Sequence, residues 1–159
     1  MPDMLVRLYD LPEGAEKAVP EAEGVQIRRA MAPDKFRVVE WVKEHSGISA
    51  AGECDVCFSH PAISCFIATR GKDILGYACY DATAPDFFGP TRVLDSEQGK
   101  GIGRALLLRC LAAMRAEGYG YAIIGGVGPR DFYEKCAGAI LIPDSTPGIY
   151  RDFLGGMGR

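Results

Sequence analysis

Between Val93 and Gly118 the chain runs from an apolar strand-like end, through a glycine-rich turn, into a long helical pattern. The turn reads Glu97-Gln98-Gly99-Lys100-Gly101-Ile102-Gly103, and the helix is expected over roughly 101–117, with Gly118 as its C-terminal stop. The first N–H groups of a helix have no partner inside it and point outward. The helix macrodipole adds partial positive charge at the same end. Glycines let a ligand approach the backbone where a Cβ would stand in the way. Lys100 and Arg104 add formal charge beside the turn. Such a turn is suited to a phosphate or pyrophosphate group.

Two common phosphate-binding patterns fail here. The P-loop spacing, which ends in Gly-Lys followed by Ser or Thr, is absent. The dinucleotide pattern needs a third glycine three residues after the second. Gly101 and Gly103 are followed by Leu106 there, and Gly126 and Gly128 by Asp131.

Around this segment the pattern is that of a mixed α/β domain. Leu5–Tyr9 reads as a short strand, and residues 10–24, polar and proline-containing, as a loop. Val25–Arg29 alternates like a strand. Residues 34–45 read as a helix with Phe36, Val39 and Val42 on its apolar face, widened by Val38 and Trp41, and Gly47 as its stop. Ser64–Thr69 and Ile74–Ala82 flank an Arg-Gly-Lys-Asp turn, which predicts a hairpin. Residues 84–90 read as an aromatic loop, and Thr91–Leu94 as a short strand. Tyr121–Gly125, Asp131–Cys136 and Ala139–Ile142 read as strand, short helix and last strand. The first half of the sheet is expected to be largely antiparallel.

A length of 159 residues points to one domain large enough to fold without a staple. A net charge of −3 gives no overall attraction to nucleic acid or to an anionic membrane. No apolar run approaches the roughly 18–20 residues that span a bilayer, and the charged N-terminal segment lacks the core of a signal peptide. The expected location is the cytoplasm. Six cysteines fit that expectation as reduced, buried small hydrophobes. Cys54 and Cys57 have CxxC spacing, with His60 following and Cys65 able to complete a set on paper. A zinc site usually shows a second paired cluster, so no metal is expected, and a redox pair is the other alternative.

The six residues from Gln98 to Gly103 match an acetyltransferase signature: Gln or Arg, any two residues, Gly, any residue, then Gly or Ala. The later run from Gly128 to Ala139, with Tyr133-Glu134-Lys135 before a glycine-containing turn, resembles the second signature of the same family. With both signatures in order, residues 25–142 resemble the GCN5-related N-acetyltransferase superfamily. Residues 1–24 then form an extension, and 25–159 the acetyltransferase domain. The resemblance implies a mostly antiparallel sheet flanked by helices, with two central strands splayed apart, and acetyl-CoA as cosubstrate. It implies that Val93 and Leu94 offer backbone hydrogen bonds to the acetyl and pantetheine groups. Gln98, Gly99, Lys100, Gly101, Ile102, Gly103 and Arg104 then cover the pyrophosphate. Tyr133 is the implied catalytic acid. The family often carries an asparagine where Gly126 stands here, so that contact is missing or replaced.

The acceptor implied is a small-molecule or peptide amine, with neither nucleic acid nor membrane as partner; homodimers are common in the family. No general base stands out among Glu53, His60, Asp81 and Asp86. Phe87 and Phe88 either line an acceptor pocket or fill the core. A non-catalytic acyl-CoA sensor and a plain nucleotide-binding domain are the competing functions.

Overall fold

The structure, a computed structural model, describes residues 1–156; the last three residues of the expected domain, 157–159, lie outside the described residues. Strands β1 (Met4–Arg7), β2 (Val25–Arg29), β3 (Cys65–Arg70), β4 (Asp73–Tyr80), β5 (Phe87–Val93), β6 (Tyr121–Ile124) and β7 (Ile140–Leu141) form one sheet. Its spatial order is β2-β3-β4-β5-β6-β1-β7. Helices α1 (Lys35–Ser46), α2 (Ile48–Cys57), α3 (Ile102–Ala116) and α4 (Arg130–Ala137) complete the domain. As expected, β2 to β5 pair antiparallel in succession. Among the described residues only β5 and β6 run parallel, joined by α3.

The central strands are buried on both faces, so they read as nearly continuous apolar runs. Period-two alternation divides them. Phe66, Ala68, Ala78 and Tyr80 face α3, where Leu106, Leu107 and Leu111 pack. Cys65, Ile67, Tyr77 and Cys79 face the opposite layer, against Val38 and Val42 of α1 and Ala50, Ala51 and Cys54 of α2. Each fully buried leucine contributes about 1.5–3 kcal/mol relative to exposure.

Four expectations change. First, β1 lies between β6 and β7, antiparallel to both, with Leu5 opposite Ile123 and Ile140. The segment after it, expected as plain loop, forms 3-10 turns at Leu8–Asp10 and Ala15–Lys17 and packs Ala15 against Leu108 and Ala112 of α3. Second, α2 carries no clear periodicity and was not foreseen. Its mean character is apolar but its amphipathic signal is weak, because Gly52, Glu53 and Asp55 interrupt the pattern. Third, β5 begins at Phe87, inside the expected aromatic loop. Two prolines and Gly89 disguise it, and edge-like pairing tolerates Pro90 because one side of the strand is unpaired there. Fourth, the inner face of α1 is Val38 and Val42, one turn apart, while Phe36 is 81% exposed. Among the described residues no helix is long and apolar enough to cross a membrane.

Candidate functional site

The site starts from a defect in the sheet. Strands β5 and β6 pair at only two positions, Phe87 with Ile123 and Phe88 with Ile124. Beyond them β6 ends at Ile124, just before Gly125, while β5 continues to Val93 along β4. Pro90 has no N–H to donate across the gap. Gly125 leaves room for two aromatic rings: a Cβ there would lie 2.2 Å from the Tyr150 hydroxyl and 3.0 Å from the Phe87 ring. The strands therefore part, and two cavities open along the split.

The smaller cavity, 460 Å³, lies over the glycine-rich turn. Its wall includes Val93, Gln98, Gly99, Gly101, Ile102, Gly103 and Arg104. Gly99 and Gly101 both have φ of +81°, a left-handed conformation that strains any other L-residue. Gly101 is also the N-cap of α3, with no side chain capping the helix. The backbone N–H groups of Ile102, Gly103 and Arg104 make no hydrogen bond to described residues. Arg104 is exposed and has no ion-pair partner among the described residues. A helix end of this kind, with a cation beside it, is suited to an anion.

Two expected residues stand apart from that wall. Leu94 donates its N–H to Leu75 and accepts at its carbonyl from Glu97, each at 2.9 Å, so its backbone is engaged within the fold. Lys100 pairs with Glu97 at 2.9 Å, and Glu97 also takes a bidentate pair from Arg70 at 3.0 Å. Arg70 first, then Lys100, holds the Glu97 carboxyl down at about 2. Lys100 thus braces the turn from outside rather than facing the cavity.

The larger cavity, 780 Å³, lies on the other side of the split. The two cavities share Phe88, Thr91, Pro129 and Tyr133. Tyr133 comes from α4, is 6% exposed, and its hydroxyl makes no hydrogen bond among the described residues. Burial pushes its phenol up to about 12. Phe88 fills the core and also lines both cavities; it meets the Tyr133 ring edge-on.

One end of the larger cavity is polar. Thr83 donates to the Glu53 carboxylate, and the Tyr150 hydroxyl is hydrogen-bonded to Thr83. Glu53 is supplied by α2, and Tyr150 and Phe153 by the C-terminal tail. Sequence patterns gave no signal for Thr83 or Tyr150, because isolated polar and aromatic residues in loops carry none. Gly126 lines this cavity too, and its N–H is held by the buried Asp3 carboxylate at 2.9 Å. That bond, from the segment before β1, occupies the backbone where a side-chain contact was expected to be missing.

His60, Asp81 and Asp86 line neither cavity. His60 Nε2 is 2.8 Å from the Asp81 carbonyl, and Asp81 accepts from the Tyr119 hydroxyl and the Asp86 N–H. Asp86 holds the closed end of the split, where its carbonyl accepts from the Ile123 N–H.

The family model for the acetyltransferase (GNAT) family matches residues 26–139. The chain belongs to that family. Solved structures agree on the fold. A GCN5-related N-acetyltransferase from Sphaerobacter thermophilus superposes with a TM-score of 0.65 at 19% identity, over 89% of this chain and 48% of that one. A GCN5-related glucosamine N-acetyltransferase region of a fungal multi-domain β-N-acetylglucosaminidase gives 0.67 at 11% identity, over 89% and 19%. A GNAT family acetyltransferase from Brucella melitensis, solved with acetyl-CoA, gives 0.51 at 20% identity, over 70% and 82%. This chain therefore spans less than half the length of the first two. No curated protein sequence matches it significantly.

Burial first, then the nearby Asp81 charge, raises the Asp86 carboxyl to about 6, and its Oδ1 is buried without a hydrogen-bond partner among the described residues. A raised acid favours the fold below its unfolded value near 3.8 and loses that contribution as pH rises through about 6. Asp86→Asn, which also tolerates the φ of +70° here, is expected to stabilise the protein at pH 7.5 by about 1 kcal/mol and to have no such effect at pH 4. Urea unfolding at the two pH values checks this; equal effects at both would mean the charge is not the cause.

Proposed function

We propose that the chain is an acetyl-CoA-dependent N-acetyltransferase that delivers the acetyl group to a primary amine by direct attack in a ternary complex. The carrying observation is the position of Tyr133, at the junction of the anion-binding cavity and the cavity that holds Glu53. On this reading the turn from Gln98 to Arg104 receives the pyrophosphate. The pantetheine arm follows β5 through the split, and the thioester lies near Tyr133. The amine enters from the larger cavity.

An alkylamine at pH 7 is about 3 units from neutral, so freeing its lone pair costs roughly 4–5 kcal/mol. Partial burial beside Phe88 and Ile124 lowers that cost by disfavouring the cation. Glu53 attracts the amine as a cation before it loses its proton. After attack on the carbonyl carbon the C–S bond breaks, and the departing sulfur needs a hydrogen-bond donor. Tyr133, with its phenol near 12, stays protonated throughout the working pH range. Full transfer to a thiolate near 8.5 is uphill by about 3.5 units, or ~5 kcal/mol. Its role is thus to donate a hydrogen bond to the sulfur as charge develops, with solvent supplying the final proton.

Acetyl-CoA at 100 times its Kd is expected to add about 2.7 kcal/mol of stability and raise Tm by roughly 5–10 °C, while ATP and NAD leave Tm unchanged. A shift with ATP and none with acetyl-CoA would overturn the assignment. Release of free thiol with a pool of amines then separates a transferase from a silent acyl-CoA sensor. Tyr133→Phe is expected to lower kcat about 100-fold with KM for acetyl-CoA within about threefold; an unchanged kcat removes Tyr133 from the chemistry. Glu53→Gln is expected to raise KM for a cationic acceptor about tenfold and leave that for acetyl-CoA alone. Equal acceptor KM values would show that Glu53 does not recognise the amine.

A further inference from the structure

Three cysteines from three different elements converge behind the site. The Sγ atoms of Cys54 on α2, Cys65 on β3 and Cys79 on β4 all lie within 4.8 Å of one another. All three side chains are completely buried. The register explains the convergence: Cys65 and Cys79 are direct antiparallel partners on the face that α2 covers, and Cys54 sits over them. Cys57 follows one turn later on α2 and stands outside that trio, with its Sγ 3.8 Å from the Glu53 and Tyr80 carbonyl oxygens. The first cysteine of the CxxC pair thus meets a cross-strand pair, which the sequence hides because its two members lie on β3 and β4. His60 is not part of it, since its ring is held by the Asp81 carbonyl.

We propose that this cluster is a structural site for one thiophilic divalent ion, zinc, bound by Cys54, Cys65 and Cys79. An ion centred among three sulfurs no more than 4.8 Å apart lies at most about 2.8 Å from each, against about 2.3 Å for a zinc–thiolate bond. Closing that gap takes about 0.5 Å of movement per sulfur, within the reach of small side-chain adjustments. An all-sulfur donor set selects soft or borderline ions and excludes magnesium and calcium. Each thiol gives up its proton to solvent as its metal–sulfur bond forms, so three thiolates carry one net negative charge with the ion. The ion would pin α2 to the sheet. Glu53 is the residue before Cys54, so the same pin fixes the carboxylate in the larger cavity. The site stands on the cysteine geometry alone and does not depend on the acetyl-transfer reading.

The test uses the tag-free full chain, reduced and freed of metal by a chelator, titrated first with Cd²⁺ and then with Zn²⁺. Cadmium is expected to give a sulfur-to-metal charge-transfer absorbance that saturates at one equivalent per chain, and zinc to displace it. Cys54→Ala and Cys79→Ala are expected to lose the band, and Cys136→Ala, away from the cluster, to keep it. No band in the native chain, or a band undiminished in Cys54→Ala, would overturn the proposal. Because core variants can fail to fold, alkylation of the native chain in mild denaturant provides a second measurement. Zinc at ten times its Kd is expected to slow labelling of Cys54, Cys65 and Cys79 about tenfold relative to Cys136. Equal slowing of Cys136, no slowing at all, or a disulfide joining two of the three cysteines with no metal bound, would refute it.

Discussion

The parting of β5 from β6 after two paired residues is the constraint from which the rest of this molecule follows. A continuous parallel pair would leave a closed sheet with no internal opening. Here the pair is released by Pro90 on one strand and by the small Gly125 and Gly126 on the other. The released backbone of β5 remains held by β4, so the opening is rigid on that side. The glycine turn, α4 and the C-terminal tail then occupy the edges of the gap. Each contributes a different chemistry: amide N–H groups, a phenol and an aromatic wall.

The polar groups near the split are not equivalent, and their environments sort them. Glu97 is held as an anion by two cations and serves the turn as a brace. Tyr133 is kept neutral by burial, and its hydroxyl makes no hydrogen bond among the described residues. Glu53 is tethered by Thr83 and opens on the larger cavity. Asp86 lies at the closed end, where a carboxylate has a structural cost and no access to a ligand.

Much of the framework was legible in the sequence because it rests on local rules. The hairpin β3–β4, the helix α3 with its glycine stop, and the turn from Gln98 to Gly103 each announce themselves within a short window. What escaped detection depends on residues far apart. β5 starts four residues earlier than expected because its pairing to β4 overrides the proline and glycine signals. α2 is helical through its packing on the sheet rather than through periodicity. The larger cavity joins α2, the 81–86 loop and the C-terminal tail, and no local pattern links Glu53 to Thr83 or Tyr150. The family match at residues 26–139 likewise leaves both β1 and that tail outside it.

The place of β1 has a bearing on how the chain comes together. Residues 4–7 are made on a ribosome before their partners, 121–124 and 140–141, with more than a hundred residues between them. That strand must remain unpaired while the antiparallel hairpins and α3 are synthesised. Closing a loop of more than a hundred residues carries a large entropic cost that only late contacts repay. The half of the sheet beyond the split is therefore a late-assembling unit. The wall of the larger cavity formed by β6 and Gly126 gains its backing strand only when residues 3–7 meet residues 121–126.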